Sequence, residues 1–137
     1  MIDEFDGEYW FLSNFSISLV EFEGLKYPTV EHAYQAAKTK EPKVREIFST
    51  LGPPSLAKKL GRNIIMRSDF EYKKKDIMLQ LLRNKFSDEN LARRLLATGD
   101  QELVEGNSWY DVFWGKCNGE GTNWLGILLM EVRDELK

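Results

Sequence analysis

Ile77, Met78, Leu81, Leu82 and Phe86 recur at the three- and four-residue spacing that lines one side of an α-helix, behind Ser68 and Glu71 at capping-box spacing. An apolar stripe of that length must be covered, so the chain is expected to fold around packed helices. The same punctuation recurs elsewhere. Thr29 is placed to N-cap a helix running to about Lys40, Pro42 opens a second that Gly52 would close, and Ser55 to Leu60 form a short third ending at Gly61. Asp88 starts another with Leu91, Leu95 and Leu96 inward and Gly99 at its end. Leu125, Leu128, Leu129, Val132 and Leu136 mark a last amphipathic helix from near Asn123. Strand signal is confined to the first 27 residues, where Ile17 to Phe22, Gly24 and Leu25 to Tyr27 read as a small hairpin. The expected fold class is therefore α+β: a helix-rich single domain over residues 1–137 with a small N-terminal β-sheet.

Several function classes are disfavoured by composition. The chain is 42% hydrophobic and 30% charged, the balance of a soluble globular protein. Its longest purely apolar run is Ile127 to Met130, against the roughly 20 residues that span a bilayer, and Met1-Ile2-Asp3-Glu4 has no secretory pattern. No membrane association and a cytoplasmic location are expected. One cysteine, Cys117, and one histidine, His32, make neither an intramolecular disulfide nor a typical zinc site, so no metal and no cofactor are expected. A net charge of −3 disfavours broad attachment to duplex nucleic acid, while a local basic patch can still hold one phosphate.

Two segments concentrate chemistry. In Thr29 to Lys38, helical geometry puts Glu31, Gln35 and Lys38 on one face and Val30, Ala33 and Ala37 on another. The polar face is either an ordinary solvated surface or the wall of a cleft, and His32 reads as a packing or hydrogen-bonding residue. The second is the long stretch Asp100 to Thr122, with Asp111-Val112-Phe113-Trp114-Gly115 followed by Gly119, Gly121 and Asn123 at the mouth of the last helix. A loop feeding a helix start offers unpaired N–H groups that suit an anion, although turn glycines and a helix cap have the same appearance.

The order Phe11-Leu12-Ser13-Asn14-Phe15, Pro28 to Lys38, Gly61-Arg62, Thr98-Gly99-Asp100, Leu103-Val104-Glu105, Trp114-Gly115 and Asn123-Trp124-Leu125-Gly126 closely resembles the NADAR, or YbiA-like, family over nearly the whole chain. The resemblance implies an N-glycosidase. It points to cleavage between ribose C1 and a base nitrogen, in a phosphorylated intermediate of riboflavin synthesis or in ADP-ribosylated guanine, free or within DNA. A non-catalytic module that binds ADP-ribose or a nucleotide is the alternative, and no oligomeric state follows. The loop after Trp114-Gly115 is shorter than in longer family members and carries Cys117 and Asn118; Cys117 reads as a packing residue.

Breaking an N-glycosidic bond builds positive charge on the ribose, so a carboxylate is expected near C1. Glu31, in the first turn of its helix, suits the ionised stabiliser or base, and Asp111, between Trp109 and Trp114, suits the acid. Lys38 offers a second route, attack of a neutral amine on C1, which its place near a helix C-terminus opposes unless burial or a cationic neighbour intervenes. Trp109, Trp114 and Tyr34 are candidates to stack a heterocycle, and Asn14 to bond a base edge or ribose. Arg62 is the candidate for a phosphate, and Gly115 and Asn123 complete the expected substrate site.

Overall fold

A computed structural model describes residues 1–137 and shows six helices with two very small sheets. The expected hairpin is present as β1 (Val20–Phe22) and β2 (Leu25–Tyr27), antiparallel with Val20 opposite Tyr27. Its two-residue turn, Glu23-Gly24, has positive φ at both positions, the backbone twist that suits a tight hairpin. The helices are α1 (Val30–Ala36), α2 (Pro42–Thr50), α3 (Pro54–Gly61), α4 (Phe70–Lys85), α5 (Glu89–Leu96) and α6 (Trp124–Leu136). A 3-10 turn spans Gly7–Leu12, and β3 (Gly106–Asn107) pairs in parallel with β4 (Lys116–Cys117). The helix-rich α+β class is as expected. No helix is long and apolar enough to cross a membrane.

The chain forms two compact units, Asn14–Lys85 and Met1–Ser13 with Phe86–Lys137. In the first, α1 is the central element and packs against α2, α3, α4 and both strands of the hairpin. Every residue of α1 is buried, polar ones included. Thr29 caps it as expected, its Oγ1 accepting the His32 N–H at 3.1 Å, a bond of the kind that contributes about 1 kcal/mol.

Helix α1 ends at Ala36, earlier than the expected Lys40. The N–H groups of Lys38 and Thr39 turn back to the carbonyls of Gln35 and Ala36, which tightens the end into a 3-10 turn. Its next carbonyls are taken from a distance: Lys38 O accepts from Arg67 N at 2.7 Å, and Thr39 O from Arg45 Nε at 2.9 Å. Helix α4 begins at Phe70, so Ser68 lies too early for the expected capping box. Asp69 precedes the helix instead, gripped by Arg67 through Nε to Oδ1 at 2.6 Å and Nη2 to Oδ2 at 3.1 Å. That guanidinium holds the Asp69 carboxyl well below the usual carboxylate range.

In the second unit, α5 packs on α6, with Asp88 capping α5 through the Leu91 N–H at 3.0 Å. Arg133 of α6 is buried and ties the end of α5 by donating to Thr98 Oγ1 at 2.9 Å and to Gln101 O at 2.8 Å.

Candidate active site

In the unit Asn14–Lys85, the polar face of α1 is buried and not solvated. Glu31 is 9% exposed and Gln35 is 5% exposed, and Gln35 Nε2 donates to Glu31 Oε2 at 2.9 Å. The Glu31 N–H donates to the Asn14 carbonyl at 3.1 Å, which places the Asn14 backbone at the start of the helix. The Asn14 amide oxygen is itself buried without a hydrogen-bond partner. Unsatisfied buried oxygens are expensive to leave, and they recur where a ligand donor completes the site.

Lys38 lies one turn beyond Gln35 and is half-buried. Its pKa is lowered chiefly by burial, with the charges of Arg62 and Lys74 acting in the same direction and those of Glu31 and Glu71 opposing. These are the two conditions, burial and cationic neighbours, under which the helix-end preference for the ammonium form gives way. The ammonium also lies 5.9 Å from the centre of the Tyr34 ring, and the Phe70 ring lies 5.4 Å from it. Tyr34 is thus largely enclosed, with 8% of its surface exposed. Of the expected site residues, Glu31, Lys38, Tyr34, Asn14 and Arg62 all belong to this unit, and Lys38 senses both Glu31 and Arg62.

One member of this cluster escapes sequence reading. Lys74 looks like the solvated face of α4, yet it is half-buried, pairs at 2.7 Å with Glu71, which was expected only in a helix cap, and adds to the field at Lys38. His32, by contrast, plays the packing role expected of it. Nε2 faces the Gly52 carbonyl at 3.0 Å and Nδ1 faces the Thr29 hydroxyl at 2.7 Å. A carbonyl can only accept, so the proton sits on Nε2, the hydroxyl donates to Nδ1, and the ring is held neutral. Burial lowers its pKa, more than the backbone bonds restore.

The other unit carries Trp109, Asp111, Trp114, Gly115 and Asn123, and the side chains of Asp111 and Asn123 are bonded to backbone. Asp111, expected as a proton donor, is bonded as an acceptor: its Oδ1 takes the N–H of Phe113 at 3.1 Å and of Trp114 at 2.9 Å. Asn107, which sequence reading did not single out, clamps the Asp111 backbone from both sides. Its Nδ2 donates to Asp111 O at 2.8 Å and its Oδ1 accepts from Asp111 N at 3.0 Å. The closed loop displays Trp109 and Tyr110, the latter at φ 64°. Trp114 is half-buried and stands edge-on to Phe113 at 4.8 Å.

The start of α6, expected as an open anion site, is already filled. Thr122, Trp124 and Leu125 donate their N–H groups to the carbonyls of Val112, Phe113 and Trp114 at 2.8, 3.0 and 2.9 Å. Asn123 is a clamp and not a ligand-facing residue: it is 3% exposed, with Oδ1 accepting from Glu105 N and Nδ2 donating to Leu103 O, each at 2.9 Å. Gly115 is buried because the Glu105 carboxylate and carbonyl occupy the space a Cβ would need. Trp109 is 55% exposed and lines a cavity of about 740 Å³ with Trp10, Asn107 and Lys116, whose lining also includes Asp3, Glu4 and Asp6. Such a cavity suits an aromatic ring better than a phosphate.

The chain is similar to known proteins over nearly its whole length. The model of the NADAR domain matches residues 3–137. The N-glycosidase YbiA of Shigella boydii is 38% identical over 133 residues, covering 94% of this chain and 82% of its own. The riboflavin biosynthesis protein VVA0006 of Vibrio vulnificus is 37% identical over 136 residues, which is 96% of this chain and 37% of that larger protein. The NMR structure of Escherichia coli YbiA superposes with a TM-score of 0.85 at 36% identity, over 99% of this chain and 86% of that one.

Proposed function

The chain belongs to the NADAR family and is an N-glycoside hydrolase, and from that premise we propose that it acts through Lys38 and Glu31 on a phosphorylated ribosyl-heterocycle. Lys38 carries this reading: a half-buried lysine whose pKa burial depresses despite the opposing charge of a buried carboxylate is the arrangement of an amine nucleophile. The neutral amine attacks ribose C1, the C1–N bond to the heterocycle breaks, and the base leaves with a proton. The Nζ lone pair then expels the ring oxygen from C1, the oxygen taking a proton from water, so that the opened sugar is held as an iminium on Nζ; hydroxide adds to C1, the C1–Nζ bond breaks, and the phosphorylated ribose leaves as the amine is restored. Glu31, buried and held by Gln35, stabilises the positive charge that develops at C1 in both steps. Arg62, exposed at the end of α3, is proposed to take a phosphate.

Two substrates fit this chemistry, a ribosylaminopyrimidine phosphate of riboflavin synthesis and ADP-ribosylated guanine, free or in DNA. The riboflavin name carried by the Vibrio relative favours the first. Both arise inside cells and carry phosphates that hold them there, so a cytoplasmic setting is part of the proposal. The extent of the family match supports residues 1–137 acting as one NADAR domain. Incubating the protein with each substrate and identifying the products by mass spectrometry tests the reading. Release of free base from at least one, abolished in Lys38→Arg, is expected; binding without release would mark a nucleotide-binding module instead.

A further inference from the structure

Gln35 is buried more deeply than the carboxylate it touches, and its amide is fixed from both ends. Nε2 donates to Glu31 Oε2 at 2.9 Å, while Oε1 is buried with no hydrogen-bond partner and lies against Gly61. A Cβ on Gly61 would collide with that oxygen and crowd the amide carbon. No rotation of the amide relieves the orphaned oxygen without breaking the bond to Glu31, because the carboxylate takes an N–H and not a carbonyl. A buried acceptor left unpaired is a standing cost to the fold, of a kind that native cores otherwise avoid. An apolar side chain of similar size would pack here without that cost, so the amide is explained by what it does to Glu31.

On this geometry we infer that Gln35 is a positioning residue for Glu31, and that Gly61 is the seat that lets it act. Glutamate at position 31 has free rotation about its outer bonds unless something holds it. The Gln35 amide assigns Oε2 to a fixed bond, orients the carboxylate plane, and favours its ionised form as any N–H donor does. The charged groups facing this cluster are Lys38, just past the end of α1, Arg62 at the end of α3, and Glu71 and Lys74 on α4. Gly61 therefore belongs to the site through its missing side chain. The Gly61-Arg62 pair unites two functions: the glycine seats the amide, and the arginine is the proposed phosphate contact.

This inference rests on the reading of Glu31 as the charge stabiliser, so its test separates the two. In 15N-labelled protein, the Gln35 side-chain amide signal, assigned by its loss in Gln35→Leu, is expected to move in Glu31→Gln and again in Gly61→Ala. That readout needs no turnover. With the ribosylaminopyrimidine phosphate as substrate, Gln35→Leu and Gly61→Ala should each lower kcat by about tenfold to a hundredfold, with KM changed less than about threefold. The decisive comparison is Glu31→Gln alone against Glu31→Gln with Gln35→Leu: a residue that acts only through Glu31 adds no further loss. An amide signal unmoved by either neighbour, or an equal fold-loss from Gln35→Leu in both backgrounds, would overturn the positioning role. Absence of turnover by wild type would instead sink the hydrolase reading, while the amide signals still decide the contact.

Discussion

Glu31 and Asp111 are the same kind of group in two regions that use it differently. Glu31 sits on a fully buried helix, bonded by a side chain and close enough to Lys38 for its charge to oppose the fall in the lysine pKa. Asp111 sits in a loop and spends Oδ1 on two backbone N–H groups, while Asn107 holds its main chain. A carboxylate committed to backbone builds a loop; one poised by other side chains remains available to respond to charge on a substrate. We therefore propose that the two regions divide labour as chemistry and architecture rather than as base and acid.

The largest expected effect falls on the chemical side. Lys38→Ala and Glu31→Gln should each reduce kcat by on the order of a thousandfold or more, with the fold intact by circular dichroism. Asp111→Asn keeps an oxygen that can accept from Phe113 and Trp114, so it should retain activity within about tenfold, whereas Asp111→Ala should lose about 1 to 3 kcal/mol of stability by leaving both N–H groups unpaired. If Asp111→Asn proved as inactive as Glu31→Gln in steady-state assays, the division would collapse. Thr29→Ala should cost about 1 kcal/mol in a denaturant melt, from loss of the cap.

The smallest effect concerns pH. The folded state holds His32 neutral, with its pKa below the ordinary 6.5, so the unfolded chain binds the proton more readily. That contribution to stability is complete above about pH 6.5 and is lost as pH falls below it. Thermal melts at pH 7.5 and pH 5 should show the decline; a melting temperature that rose on acidification would contradict a His32 ring held neutral by the fold.

What was legible in the sequence was local. Thr29 and Asp88 announce their helices because a cap bonds only three residues ahead, and Glu31 sits in the first turn where that cap puts it. The i, i+4 spacing of Glu31 and Gln35 was visible too, but not that Gly61 would close over the amide from another helix. Lys38 was the least legible, since the burial and the Arg62 and Lys74 charges that perturb it come from α3, α4 and the turns beside them. The start of α6 misled for a related reason. Its N–H groups are satisfied by carbonyls of residues 112–114, and a carbonyl has no signature in residue type. The Asn107 clamp was hidden in the same way, because its partners are main-chain atoms of Asp111.

Attack of Lys38 on ribose C1 is the central proposed step, and reductive trapping examines it directly. Borohydride added during turnover of the ribosylaminopyrimidine phosphate, and separately of ADP-ribosylated guanine, should convert the iminium to a stable amine. Peptide mass spectrometry should then find the sugar phosphate on Lys38. Full turnover with no adduct on Lys38, together with an active Lys38→Arg variant, would show that the lysine is not the nucleophile.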